Sequence, residues 1–131
     1  MLMPESQSPP GETTEEDVLA SSRAYSEAKR DFRISEAELF ARPFDRDTIA
    51  AQTAAVFAKL HAYLAAFRAY HRTDVRYMQQ SFLGPTSEKE AGIIENLNRT
   101  IDRAASVEEE FHCEKIIYRL LIIESARRSR A

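Results

Sequence analysis

The sequence is poor in the residues that form tight turns, cross-links and phosphate-binding loops. Its 131 residues include three glycines, one cysteine and no tryptophan. Because glycine supplies positive φ angles and close backbone approach, this scarcity argues against glycine-rich phosphate loops and against folds with many tight turns. The single cysteine excludes a disulfide within the chain and favours a reducing compartment.

The sequence also has no long apolar run and no excess of positive charge, and we expect no export signal. Its longest apolar run, residues 116–123, is interrupted by Arg119 and falls far short of the ~20 residues that cross a bilayer. Acids and prolines occupy the N-terminus where a signal peptide has its apolar core. A net charge of −3 and a pI of about 5.7 disfavour a nucleic-acid partner. We therefore expect a cytoplasmic protein with no membrane span.

The overall composition is that of an ordinary globular protein. Apolar residues make up 44% of the chain and charged residues 30%. Residues 1–12 contain three of the five prolines together with mostly polar residues, which is typical of a disordered tail. The composition thus predicts a disordered tail over 1–12 and one α-helical domain over 13–131.

Three helical segments are predicted, at about 13–42, 45–82 and 87–128. The first has a capping-box pattern from Thr13 to Glu16 and one apolar residue in every seven, namely Val18, Tyr25, Phe32 and Leu39. A second start signal at Ser35, with Ile34 placed to contact Leu39, leaves a break near residues 31–35 open.

The second and third segments have stronger patterns. In the third, one apolar series recurs at steps of three and four residues: Ile93, Ile94, Leu97, Ile101, Ala104, Val107 and Phe111. The second repeats Ile49, Val56, Tyr63, Tyr70 and Tyr77 at intervals of seven. Pro43 and Gly84-Pro85 separate the three segments. These patterns predict an all-α fold, an elongated three-helix bundle or helical hairpin with coiled-coil-like packing.

Residues 116–123 are apolar on all sides of the predicted helix. A helix that is apolar all round has to be surrounded, and two other helices can cover only part of it. We therefore expect a partner-binding surface within Glu108–Ile123, formed by Ile116, Ile117, Leu120, Leu121 and Ile123.

The same region contains an alternative metal site. Glu109 and His112 are three residues apart and share one helical face, and Cys113 follows directly. Zinc accepts carboxylate, imidazole and thiolate ligands, so Glu109, His112 and Cys113 are candidate ligands, with His61 or His71 as further donors. The plainer interpretation is a buried thiol beside a half-exposed histidine, without a cofactor.

A third interpretation concerns the aromatic row of the second segment. Rings beside basic residues also occur where single-stranded nucleic acid stacks on a protein. Here the rings are Tyr63, Phe67, Tyr70 and Tyr77, and the basic residues are Lys59, Arg68, Arg72 and Arg76, with the C-terminal arginines as a further basic group. A heptad row of rings is more typical of a helix-packing seam. No nucleophile, phosphate-loop or metalloprotease motif is present, so we expect a protein that is not an enzyme.

The leading prediction is thus a non-enzymatic helical module for protein–protein interaction. Its partner is expected to be either a copy of itself or another protein, in the role of an oligomer, an adaptor or a chaperone-like protein. A metal-binding sensor or storage protein is the first alternative, and a nucleic-acid-associated regulator is the second.

Overall fold

The computed structural model describes residues 12–41, 46–83 and 88–130, and over these ranges the chain is a bundle of three helices without strands. The first helix, α1, spans Glu15–Ala41, and α2 spans Arg46–Met78. A π-helical turn, Gln79–Leu83, continues α2, and α3 spans Glu88–Arg130. The predicted all-α three-helix fold is confirmed. The predicted tail, apart from Glu12, and the breaks at Pro43 and Gly84-Pro85 lie outside the described residues.

The contacts between helices define an up-down-up arrangement. Tyr25 of α1 stacks on Tyr70 of α2 at 5.6 Å, whereas Phe32, further along α1, stacks on Tyr63 at 5.7 Å. Later residues of α1 therefore meet earlier residues of α2, and the two helices are antiparallel. Contacts of α3 show that it is antiparallel to α2 and parallel to α1, because His61 meets Glu109, Arg68 meets Asp102, and Phe40 meets Arg119.

The core draws on all three helices. The heptad residues Phe32 and Leu39 of α1 and Val56 and Tyr63 of α2 are buried, as their spacing predicts. A fully buried side chain of this size contributes about 1.5–3 kcal/mol. The buried cluster consists of Phe32, Leu39, Val56, Leu60, Tyr63, Leu64 and Ile116.

The capping box of α1 lies one residue later than the sequence pattern predicted. The Thr14 N–H donates to Asp17 Oδ2 at 2.9 Å, and the Asp17 N–H donates to Thr14 Oγ1 at 3.2 Å. Thr13 is instead buried, and its N–H donates to Gln80 Oε1 at 3.0 Å. The prediction of Thr13 as the cap was wrong, because this contact holds Thr13 against the π-helical turn.

Helix α1 is continuous across the region where a break was left open. It runs without interruption from Glu15 to Ala41, and the start signal at Ser35 is not used. Ile34 is 48% exposed whereas Leu39 is in the core, so the two lie on different faces. An unbroken α1 keeps Phe32 and Leu39 on the same buried face. Burying these two side chains stabilises the helix more than a second N-terminal cap at Ser35 would.

The apolar run at 116–123 is helical and lies within α3. At about 1.5 Å per residue, the 43 residues of α3 extend over roughly 65 Å. Within the described ranges, no helix combines the length and the apolar character that crossing a bilayer requires.

Candidate interaction surface

The five predicted partner-binding residues divide between two sides of α3. Ile116 is 0% exposed, Ile123 is buried, and Leu120 packs against the core. Ile117 and Leu121 are on the other side and are 51% and 63% exposed. Successive helical residues are about 100° apart, so residues 116–123 place apolar side chains on every side of α3. Helices α1 and α2 cover one side of this segment and leave the other side exposed.

The exposed half belongs to a longer row, which we name the outer seam. Its positions alternate in steps of four and three residues, the spacing of a coiled-coil seam. Every position in the row is exposed. The outer seam consists of Ile93, Leu97, Thr100, Ala104, Val107, Phe111, Glu114, Tyr118, Leu121 and Ser125.

The outer seam lies opposite the face that α3 buries. Ala105 is fully buried, and Val107, two residues later and about 200° around the helix, is 60% exposed. Tyr118 likewise follows buried Ile116 and is 67% exposed. From Ile93 to Leu121 the seam covers about four heptads, a length at which a coiled-coil pattern becomes specific.

Hollows adjoin the seam on the side that faces the other helices. One, of about 410 Å³, lies between Phe67 of α2 and the seam residues Thr100, Ala104 and Val107. A second, of about 360 Å³ and mostly apolar, lies between Val75 and Met78 of α2 and the start of the seam; its lining is Asp74, Val75, Met78, Gln79, Ile93, Ile94 and Leu97. Because Thr100 and Ala104 are small, the first hollow has room for side chains of another molecule.

A third hollow separates α1 from the middle of α3. It has a volume of about 330 Å³, and Phe111 of the outer seam is at its edge; its lining is Lys29, Phe32, Arg33, Tyr63, Glu108, Phe111, His112 and Lys115. Basic side chains from α1 and α3 line this hollow, and among its described lining residues Glu108 alone contributes a carboxylate.

Polar contacts with α1 fix the rotation of α3 and therefore the direction of the seam. Arg119 Nη2 donates to the Phe40 carbonyl at 2.6 Å, and Lys115 Nζ forms an ion pair with Glu36 Oε2 at 3.0 Å. His112 packs edge-on against the Phe32 ring at 4.8 Å. Because these groups are partly or wholly buried, turning α3 outward would leave them without partners.

The candidate metal ligands point to different neighbours. Glu109 Oε2 is 3.9 Å from His61 Nε2. His112 Nε2 is 3.0 Å from Glu108 Oε2, while its Nδ1 is 3.7 Å from Glu36 Oε2. The carboxylates of Glu108 and Glu36 thus lie at opposite ring nitrogens of His112. Over the described residues, no three His, Cys, Asp or Glu side chains form a group that could hold a metal ion.

Cys113 and Tyr63 are held in their neutral forms. Burial, followed by the negative charge of Glu109, raises the pKa of the Cys113 thiol. Burial, followed by the negative charge of Glu108, raises the pKa of Tyr63 to about 12. A raised thiol pKa is the opposite of what a nucleophilic or metal-binding cysteine requires.

Two rings and two arginines of the third interpretation are engaged within the bundle. Tyr63 and Tyr70 both stack on Tyr25 of α1, at 5.9 and 5.6 Å. Arg68 and Arg72 form ion pairs with Asp102 of α3. These contacts occupy ring faces and charges that a nucleic acid would need.

The N-terminal half of the outer seam was not distinguished from the core by sequence reasoning. Ile93, Ile94 and Leu97 formed part of one apolar series, yet Ile94 is half-buried while Ile93 and Leu97 are exposed. The available signal was the adjacent pair Ile93-Ile94, because adjacent apolar residues on a helix face different sides. The adjacent pair therefore indicates two rows of apolar residues on α3, each on its own packing face.

Comparison of the chain with protein-family models, with curated proteins and with solved structures finds no significant match. The candidate function therefore depends on the arrangement of the residues themselves.

Proposed function

We propose that the chain is a non-enzymatic interaction module of the cytoplasm that binds a protein partner through the outer seam of α3. The observation that supports this proposal is the four-heptad row of exposed positions from Ile93 to Leu121. Most of its side chains are apolar, and proteins that act as monomers rarely leave large apolar patches in water.

The energetics favour a covered seam. Ile93, Val107, Phe111, Tyr118 and Leu121 are each at least half exposed. Burying roughly 400 Å² of apolar surface contributes on the order of 10 kcal/mol before the costs of association. Thr100, Glu114 and Ser125 interrupt the row and reduce this gain, which suits a partner that binds and dissociates.

Site-specific photo-crosslinking in the host cell tests this function. A photoreactive phenylalanine analogue replaces Phe111, at the centre of the seam, or Leu19, a residue of α1 with the same 51% exposure. We expect crosslinks to protein from position 111 and few or none from position 19. Equal crosslinking from both positions would contradict a role for the seam.

A charged substitution provides the second measurement. Val107→Asp with Leu121→Asp places two carboxylates on the seam, where both side chains are exposed, so the helical content should be retained. We expect these substitutions to abolish the crosslink from position 111, because a buried unpaired carboxylate is costly at an interface. Leu19→Asp is the matched control and should leave the crosslink unchanged.

A further inference from the structure

The occupant of the outer seam can be named from the order of its side chains. We infer that α3 pairs in an antiparallel manner with α3 of a second copy of this chain, with Arg103 of each copy opposite Glu110 of the other. This inference rests on the proposed function and specifies the partner.

Size complementarity favours the antiparallel pair. In a parallel pair each seam residue meets its own copy, so Phe111 would face Phe111 and Ala104 would face Ala104. In an antiparallel pair one chain runs in the opposite direction, so the residue numbers of any two facing positions add up to the same total. When Ala104 faces Val107 of the second copy, Thr100 faces Phe111, so that each larger side chain meets a smaller one. The hollow beside Thr100, Ala104 and Val107 receives the ring of Phe111 from the second copy.

The acidic seam residue disfavours the parallel pair. Glu114 lies within the outer seam, and a parallel pair would place it against Glu114 of the second copy. Two like charges facing each other at an interface cost several kcal/mol and suppress that arrangement. In the antiparallel register Glu114 faces Leu97, near the end of the overlap, where its carboxylate can reach water.

The charges beside the seam complement one another only between copies. Arg103 directly precedes Ala104 and Glu110 directly precedes Phe111, so both lie on the same flank of the seam, and both are exposed. Among the described residues, neither Arg103 nor Glu110 forms an ion pair within the chain. In an antiparallel pair the same flanks meet, which gives two symmetric contacts between Arg103 and Glu110.

Charge reversal tests this arrangement in the full chain. Arg103→Glu places glutamate against glutamate at both of these contacts, and Glu110→Arg places arginine against arginine, so each variant repels its own copy. We expect each variant to self-associate at least about tenfold more weakly than the parent protein. An equimolar mixture of the two variants should recover association, because each contact then joins a glutamate and an arginine. Sedimentation equilibrium measures the three dissociation constants.

Controls separate loss of contact from loss of fold. Arg23→Glu makes the same charge change at an exposed residue of α1 and should leave association unchanged. Circular dichroism should show the same helical content in all variants, because Arg103 and Glu110 are exposed.

Two outcomes overturn the inference of an antiparallel α3 pair, and both can be distinguished from failure of the proposed function. A parent protein that stays monomeric across the concentration range excludes the second copy; if position 111 still forms crosslinks to another protein, the proposed function stands. A parent dimer whose two charge variants do not associate on mixing excludes the antiparallel register. A monomer without crosslinks at position 111 contradicts both.

Discussion

Ile116 and Ile117 are neighbours in α3, yet Ile116 is fully buried and Ile117 is half exposed. The boundary between the core of the bundle and the open side of α3 thus passes between two identical side chains. Ile116 belongs to the cluster formed with α1 and α2, whereas Ile117 lies on the open side of α3.

This difference predicts unequal effects of the same substitution. Ile116→Ala leaves a cavity in the core and should lower the free energy of unfolding by about 2–4 kcal/mol. Ile117→Ala removes a side chain that is largely in water and should cost less than about 1 kcal/mol. Urea denaturation of the dilute protein measures both values. Equal losses would show that Ile117 is as well packed as Ile116.

The helices and their inner stripes could be predicted from local pattern. Val56 and Tyr63 repeat at seven on an alanine-rich segment, and both are in the core. Such a pattern needs no knowledge of the rest of the chain, because the helical repeat alone puts these residues on one face.

The orientation of α3 could not be predicted, because distant residues determine it. The contact between Arg119 and the Phe40 carbonyl joins residues 79 positions apart. The helix cap of α1 was misplaced for a similar reason. Thr13 and Thr14 are equivalent as caps by type, and only the bond from Thr13 to Gln80, 67 positions away, distinguishes them.

Tyr63 should make the stability of the protein fall at high pH. Its pKa is about 12 in the folded protein and 10.0 in the reference state, so the folded form holds the proton more tightly. The resulting stability is fully present below pH 10.0 and is lost as the pH rises towards about 12. Tyr63→Phe cannot titrate. Between pH about 9 and about 11, the parent protein should lose about 1.4 kcal/mol more than the variant.

At each pH, the difference in the free energy of unfolding between the parent protein and Tyr63→Phe cancels the contributions of the titratable groups that both proteins share. In the dilute, dissociated protein Tyr118→Phe, at an exposed tyrosine, serves as the matched control and should follow the parent protein. If the parent and Tyr63→Phe lose stability in parallel over this range, the hydroxyl of Tyr63 is not held neutral by burial.

Cys113 should react slowly with alkylating reagents. Burial and the nearby Glu109 raise the pKa of its thiol, and the thiolate is the reactive form. For comparison, Ser125→Cys in a Cys113→Ala background places a thiol at the C-terminal end of the outer seam, which is exposed in the dilute, dissociated protein. Near neutral pH, iodoacetamide should modify Cys113 at least about tenfold more slowly than the thiol at position 125. Unfolding in urea should remove the difference, whereas similar rates in the folded proteins would contradict the prediction.

Asp102 should contribute a small stabilisation that depends on salt. It forms ion pairs with Arg68 and Arg72, but all three side chains are about a third to a half exposed. Exposed pairs are weak, so Asp102→Asn should lower the free energy of unfolding by about 0.5–1 kcal/mol at low ionic strength. In molar salt the loss should shrink, because the Debye length falls to about 3 Å.

Glu95→Gln provides the comparison for Asp102, since among the described residues Glu95 pairs with Arg99 alone, within α3. The pair is exposed and does not join two helices, so its loss should cost no more than about 0.5 kcal/mol. Denaturation of both variants at low and high salt measures the difference. If Asp102→Asn lowers the free energy of unfolding by the same amount in molar salt, then the packing of Asp102, and not its charge, stabilises the contact between α2 and α3.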